Sequence, residues 1–92
     1  MVTVQDGRAE VVLGDKKVEI RGGSVTHKKD GEIGIICFRK MPRNAGEAMT
    51  LKEVIKSFPV QIFFKNTEGL DVVIDMLQKI RAEMEIPDET HR

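Results

Sequence analysis

The chain contains no tryptophan, no tyrosine, a single cysteine and no net charge, and each of these narrows what it can be. Without Trp or Tyr it lacks the side chains that best build an aromatic cage or a stacking platform for bases. Cys37 has no partner for an internal disulfide, which fits a reducing, cytoplasmic setting. Fifteen Lys and Arg balance fifteen Asp and Glu, so no overall field draws the chain to nucleic acid or an anionic membrane. A basic patch around Lys28-Lys29 remains conceivable, but neutrality argues against a nucleic-acid partner. No apolar run approaches the about 18 residues of a membrane span, and the opening residues lack the charged-then-apolar order of a signal peptide.

Catalytic signatures are missing too. His27, Cys37 and His91 are isolated from one another, so no zinc spacing exists. No P-loop, dinucleotide fingerprint or nucleophile elbow occurs. Cys37 lies among Ile residues and reads as a buried, inert thiol. His27, in Thr-His-Lys-Lys, reads as a surface residue. Asp71 and Asp75 are one helical turn apart; that spacing could hold a cation, but a solvated face is the ordinary explanation. The expectation is a non-enzyme with no cofactor, no metal and no catalytic residue.

What is present is organised around the stretch from Ser57 to Glu85. Val60, Ile62 and Phe64 alternate with Gln61, Phe63 and Lys65, the period of a strand with one well-buried face. Asn66 is suited to cap a helix whose acidic residues, Glu68 and Asp71, come first and whose basic ones, Lys79 and Arg81, come late. Pro87 would end it. Leu70, Val73, Ile74, Leu77, Ile80 and Met84 form one stripe, with Val72 and Met76 beside it. The apolar sector spans about 200°, twice what a helix resting on one sheet requires. Two readings follow: a helix sunk in its own core, or one that offers a second contact surface.

Upstream, Asp6-Gly7 between Val2–Gln5 and Ala9–Leu13 signals a hairpin. Gly14-Asp15-Lys16 predicts a second, leading into Lys17–Arg21, and Gly22-Gly23 is expected to break that strand. Residues 24–28 read as a short strand turned by Asp30-Gly31 into Glu32–Arg39, the most apolar strand and therefore a central one. Thr50 and Glu53 have the form of a capping box for a short helix at 51–57. The expected fold is α+β: an antiparallel meander of five or six strands, a short helix before the last strand and a long C-terminal helix on one face. Residues 1–86 form one domain, and 87–92 a polar tail. Phe63 is expected to share the face opposite the helix with Ile36 and Phe38. That face must then be closed by the N-terminal hairpins or by another subunit, which makes a homo-oligomer the expectation.

Two basic stretches are the candidate ligand-binding residues. Arg21-Gly22-Gly23 offers a cation and two residues free to form an anion-binding nest. Arg39, Lys40, Arg43 and Asn44 offer cations and an amide suited to phosphate. A plain turn and a solvated loop are the ordinary alternatives. Phe63, Ile36, Phe38, Val72 and Met76 are the candidate interface residues for oligomer or partner.

Val60–Asn66, followed by Leu70–Ile74, resembles the endings of short uncharacterised bacteriophage proteins, typically a small β-meander closed by a helix. The resemblance covers about a third of the chain. It implies a phage protein in a bacterial cytoplasm, either an oligomeric sponge for nucleotide-derived immune signals or an inhibitor of a host defence protein; no site residue carries over from it. The expectation is therefore a non-catalytic homo-oligomer that binds a phosphorylated, nucleotide-like small molecule. The alternative is an interaction module that docks on a host protein through an apolar surface.

Overall fold

The computed structural model of the chain describes residues 2–29, 31–43 and 45–85. The expected α+β architecture is present, as five antiparallel strands in two sheets with two helices. Strands β1 (Val2–Gln5) and β2 (Arg8–Val11) form a hairpin closed by Asp6 and Gly7. Both turn residues have positive φ, 52° and 75°, as a type I′ turn demands. Strands β3 (Val18–His27), β4 (Gly31–Lys40) and β5 (Val60–Phe64) form the larger sheet in the order β3-β4-β5. The most apolar strand, β4, is thus central, as its composition requires. Helix α1 (Leu51–Ser57) lies in the connection from β4 to β5, and α2 (Thr67–Met84) follows β5.

The strands do not make one continuous meander. The residues after β2 leave its sheet instead of turning back along it. Gly14 and Lys16 both adopt positive φ there, and the Asp15 carboxylate accepts the Lys17 N–H, a local turn that redirects the chain. Nor does Gly22-Gly23 break β3, which runs unbroken from Val18 to His27. Gly22 stands opposite Ile36, and a Cβ on it would come within 2.8 Å of the Ile35 carbonyl oxygen. Glycine here serves close approach of two backbones, not termination.

The two faces of the larger sheet have different fates. Ile35 and Cys37 of β4 point to the face covered by α1, where Val54 and Phe58 complete a buried cluster flanked by Met49 and Leu51. The capping box is formed: Thr50 accepts the Glu53 N–H at 3.2 Å and the Glu53 carboxylate accepts the Thr50 N–H at 2.9 Å. It fixes the start of a helix too short to persist alone. Phe58, 2% exposed, is the anchor of this side.

The register corrects the expected grouping of Phe63. It pairs with Ile35, while Ile36 pairs with Ile62 and Phe38 with Val60. Alternation therefore puts Phe63 on the α1 face, and Ile36 and Phe38 on the α2 face. The face away from α2 is covered by the segment from Met49 to Phe58, not by the N-terminal hairpins. The deeply sunk helix is corrected as well: α2 has no buried residue. Asn66 does cap it, accepting the Gly69 N–H at 2.9 Å. Pro87, the expected helix stop, lies outside the described residues.

Candidate functional site

Of the basic candidates, Arg21 and Arg39 come together, and what they meet is Glu19. Strand β3 carries Glu19 and Arg21 two residues apart, hence on one face, and pairing sets Glu19 opposite Arg39. Arg39 Nε donates to Glu19 Oε1 at 2.6 Å, and Arg21 donates through Nε and Nη2 to Oε2 at 3.1 and 3.0 Å. The Gly46 N–H also points at Oε2, at 3.4 Å. Arg21 further donates to the Glu47 carbonyl, tying the loop after β4 to the sheet. The Arg39 guanidinium lies 4.6 Å from the centroid of the Phe58 ring, a favourable position for a cation on an aromatic face. Burial pushes the Glu19 carboxyl up. Hydrogen bonds from Arg39, the Gly46 N–H and Arg21 outweigh it and hold the group below the usual glutamate range.

This cluster is a strut between sheet, loop and α1 core. Both guanidiniums already share the one Glu19 carboxylate, which leaves the trio a single net positive charge, and a phosphate approaching them would meet that carboxylate. Gly22 and Gly23 are extended within β3 and form no nest. A hollow of about 260 Å³ beside Arg21, Gly22, Gly23 and Ser24 is walled on its other side by Met49, Leu51 and Val54. By strand alternation Lys40 leaves on the opposite face from Arg39, beside Lys17 and the first strand. Arg43 is exposed in the following loop. Asn44 lies outside the described residues. Sequence reasoning passed over Glu19, although its spacing from Arg21 on a strand was the available signal.

The interface candidates divide between two surfaces. Phe63, 57% exposed, stands on the α1 side of the sheet. On the other side, Ile20, Ile36, Phe38, Ile62 and Phe64 face Leu70, Val73, Ile74 and Leu77 of α2 across an open groove of about 490 Å³. The helix arches over the sheet without closing on it: Leu77, in the middle of the apolar stripe, is 59% exposed. On the outer flank of the same helix Val72 and Met76 are exposed at 68% and 54%. A five-residue strand leads into α2 through only two intervening residues, Lys65 and Asn66, which fixes the start of the helix beside the sheet.

Cys37 is buried in the α1 core, and burial pushes its thiol up, which suits an inert residue. Among the described residues, no three His, Cys, Asp or Glu side chains gather closely enough to hold a metal ion. Nor, among the described residues, is any helix long and apolar enough to cross a membrane. Compared with family models, curated proteins and solved structures, the chain finds no match.

Proposed function

We propose that the protein is a non-catalytic interaction module that docks a polypeptide against the apolar surface shared by α2 and the sheet. One observation carries this reading: an eighteen-residue helix with no buried residue borders an apolar groove on a folded sheet. Monomeric proteins seldom leave contiguous apolar surface of this kind, and where it occurs it marks a contact site. Apart from glycines and Arg21 at one edge, the groove is lined by aliphatic and aromatic residues, the composition of an interface core. The phosphorylated-ligand reading has weaker support, because Glu19 already engages Arg21 and Arg39.

The test compares proteins retained by the immobilised chain and by two variants. Leu77→Glu places a charge in the groove at an already exposed position; Arg43→Ala removes a candidate phosphate contact. Proteins retained by wild type and Arg43→Ala but lost with Leu77→Glu support the docking surface. Equal retention by all three refutes it. Retention of a phosphorylated small molecule that only Arg43→Ala loses returns the site to the basic loop.

A further inference from the structure

We infer that the occupant of the groove is a second copy of this chain, packed about a two-fold axis so that α2 of each copy covers the apolar sheet face of the other. The inference rests on the docking surface proposed above and names its partner.

A compact monomer of 10.4 kDa exposes about 5,400 Å². This chain exposes 7730 Å², an excess of about 2,300 Å² over that expectation. A standard interface buries about 800 Å² per partner, and obligate homodimers bury about 1,000–2,500 Å² per subunit. Even half the excess exceeds a standard interface and lies within the obligate range. The radius of gyration, 15.8 Å, points the same way, since about 12 Å is usual for this length.

Shape supplies the second argument. A two-fold interface must be self-complementary, so one patch has to carry both the projection and the recess that receives it. Here both lie on one element. Leu70, Val73, Ile74 and Leu77 wall the groove, while Val72 and Met76 stand as a ridge on the other flank of α2, all within about 200° of helix. The groove has room for a few large side chains and not for a whole additional element, which suits a ridge of Val72 and Met76 entering from a facing helix. Charge sets the direction. Glu68, Asp71 and Asp75 lie in the first half of α2; Lys79 follows, then Arg81, which pairs with Glu85, and Glu83. Antiparallel helices related by a two-fold bring the acidic first half of one toward Lys79 of the other and oppose their dipoles favourably.

A consequence follows for folding. Among the described residues the buried apolar ones are few: Val18, Ile35, Cys37, Phe38, Val54 and Phe58. A core this small leaves stability dependent on association, and so on protein concentration.

The experiment is light-scattering mass measurement with urea unfolding, both from low micromolar to near-millimolar protein, on the whole chain and on Met76→Glu. Met76 lies outside the groove lining and is exposed, so the charge does not strike the subunit's own core. A wild-type mass twice 10.4 kDa, with an unfolding midpoint that rises with concentration, is expected. Met76→Glu should run at the single-chain mass and lose that dependence. Should Met76→Glu fail to fold, the wild-type mass and its concentration dependence decide the question unaided. A wild-type chain that stays at single mass with a constant midpoint overturns the second copy. In that event a hydrophobic dye separates the two readings. Binding that Leu77→Glu abolishes leaves the docking surface standing with a different occupant. No binding by wild type overturns both.

Discussion

Replacing Glu19 by Gln tests whether the carboxylate is the strut that joins β3, the loop after β4 and the α1 core. Gln keeps the shape and the ability to accept one hydrogen bond, and removes the charge. Glu19 is 7% exposed, whereas the Arg39 and Arg21 side chains retain 20% and 21% exposure. Breaking a fully buried ion pair costs about 3–5 kcal/mol because a charge is left without its partner. Here partial hydration of the guanidiniums lowers that figure, and hydrogen bonds to charged groups contribute about 1.5–3 kcal/mol. A loss of about 2–3 kcal/mol at pH 7 is expected.

The pH dependence is the sharper part of this prediction. The folded Glu19 carboxyl is held below the ordinary value, so the unfolded chain takes up its proton first as pH falls. The stabilisation is therefore fully present above the unfolded value of about 4.3 and drains away as pH drops through the lower folded one. Glu19→Gln has no such group, so the gap between wild type and variant should be widest near neutrality and shrink under acid. Urea unfolding at pH 7, 5, 4 and 3 reads it. A gap below about 0.5 kcal/mol at pH 7, or one that stays constant across the series, would refute the strut. The same variant also bears on anion binding. With the carboxylate charge gone, sulfate or phosphate should stabilise Glu19→Gln more than wild type, because only then are Arg21 and Arg39 open to an anion.

Other expectations follow from the packing. Phe58→Ala should cost about 3–5 kcal/mol, against a total of about 5–14 kcal/mol usual for a chain of this length. Because Cys37 belongs to the same cluster, its thiol should resist alkylation in the native protein and label much faster in that variant. Gly22→Ala should destabilise by about 1–3 kcal/mol, since its Cβ would press on the Ile35 backbone oxygen. Gly23→Ala meets nothing within 4 Å and should be near neutral; equal costs for the two in thermal unfolding would contradict the assigned register.

The local rules were legible in the residues because each depends on neighbours along the chain. Asp6-Gly7 dictated a turn with positive φ at both positions. Thr50 with Glu53, and Asn66 before the long apolar stripe, dictated where the two helices start. The apolar run of β4 dictated a central strand, and the α+β class followed from those elements together.

What the chain alone left open concerned partners distant in sequence. Strand register decided that Phe63 lies with Ile35 and not with Ile36, because a shift of one residue exchanges the faces of a strand. The same long-range pairing drew two promising arginines onto one carboxylate, Glu19, through a contact that crosses twenty residues of chain. Gly22-Gly23 carried the same ambiguity. In isolation two glycines read as a break, and only the approach of β4 made one of them a necessity of close backbone packing. The width of the α2 stripe was visible from the start as surplus apolar surface. That its own sheet leaves this surface uncovered was settled in three dimensions: α1, not α2, closes the buried core.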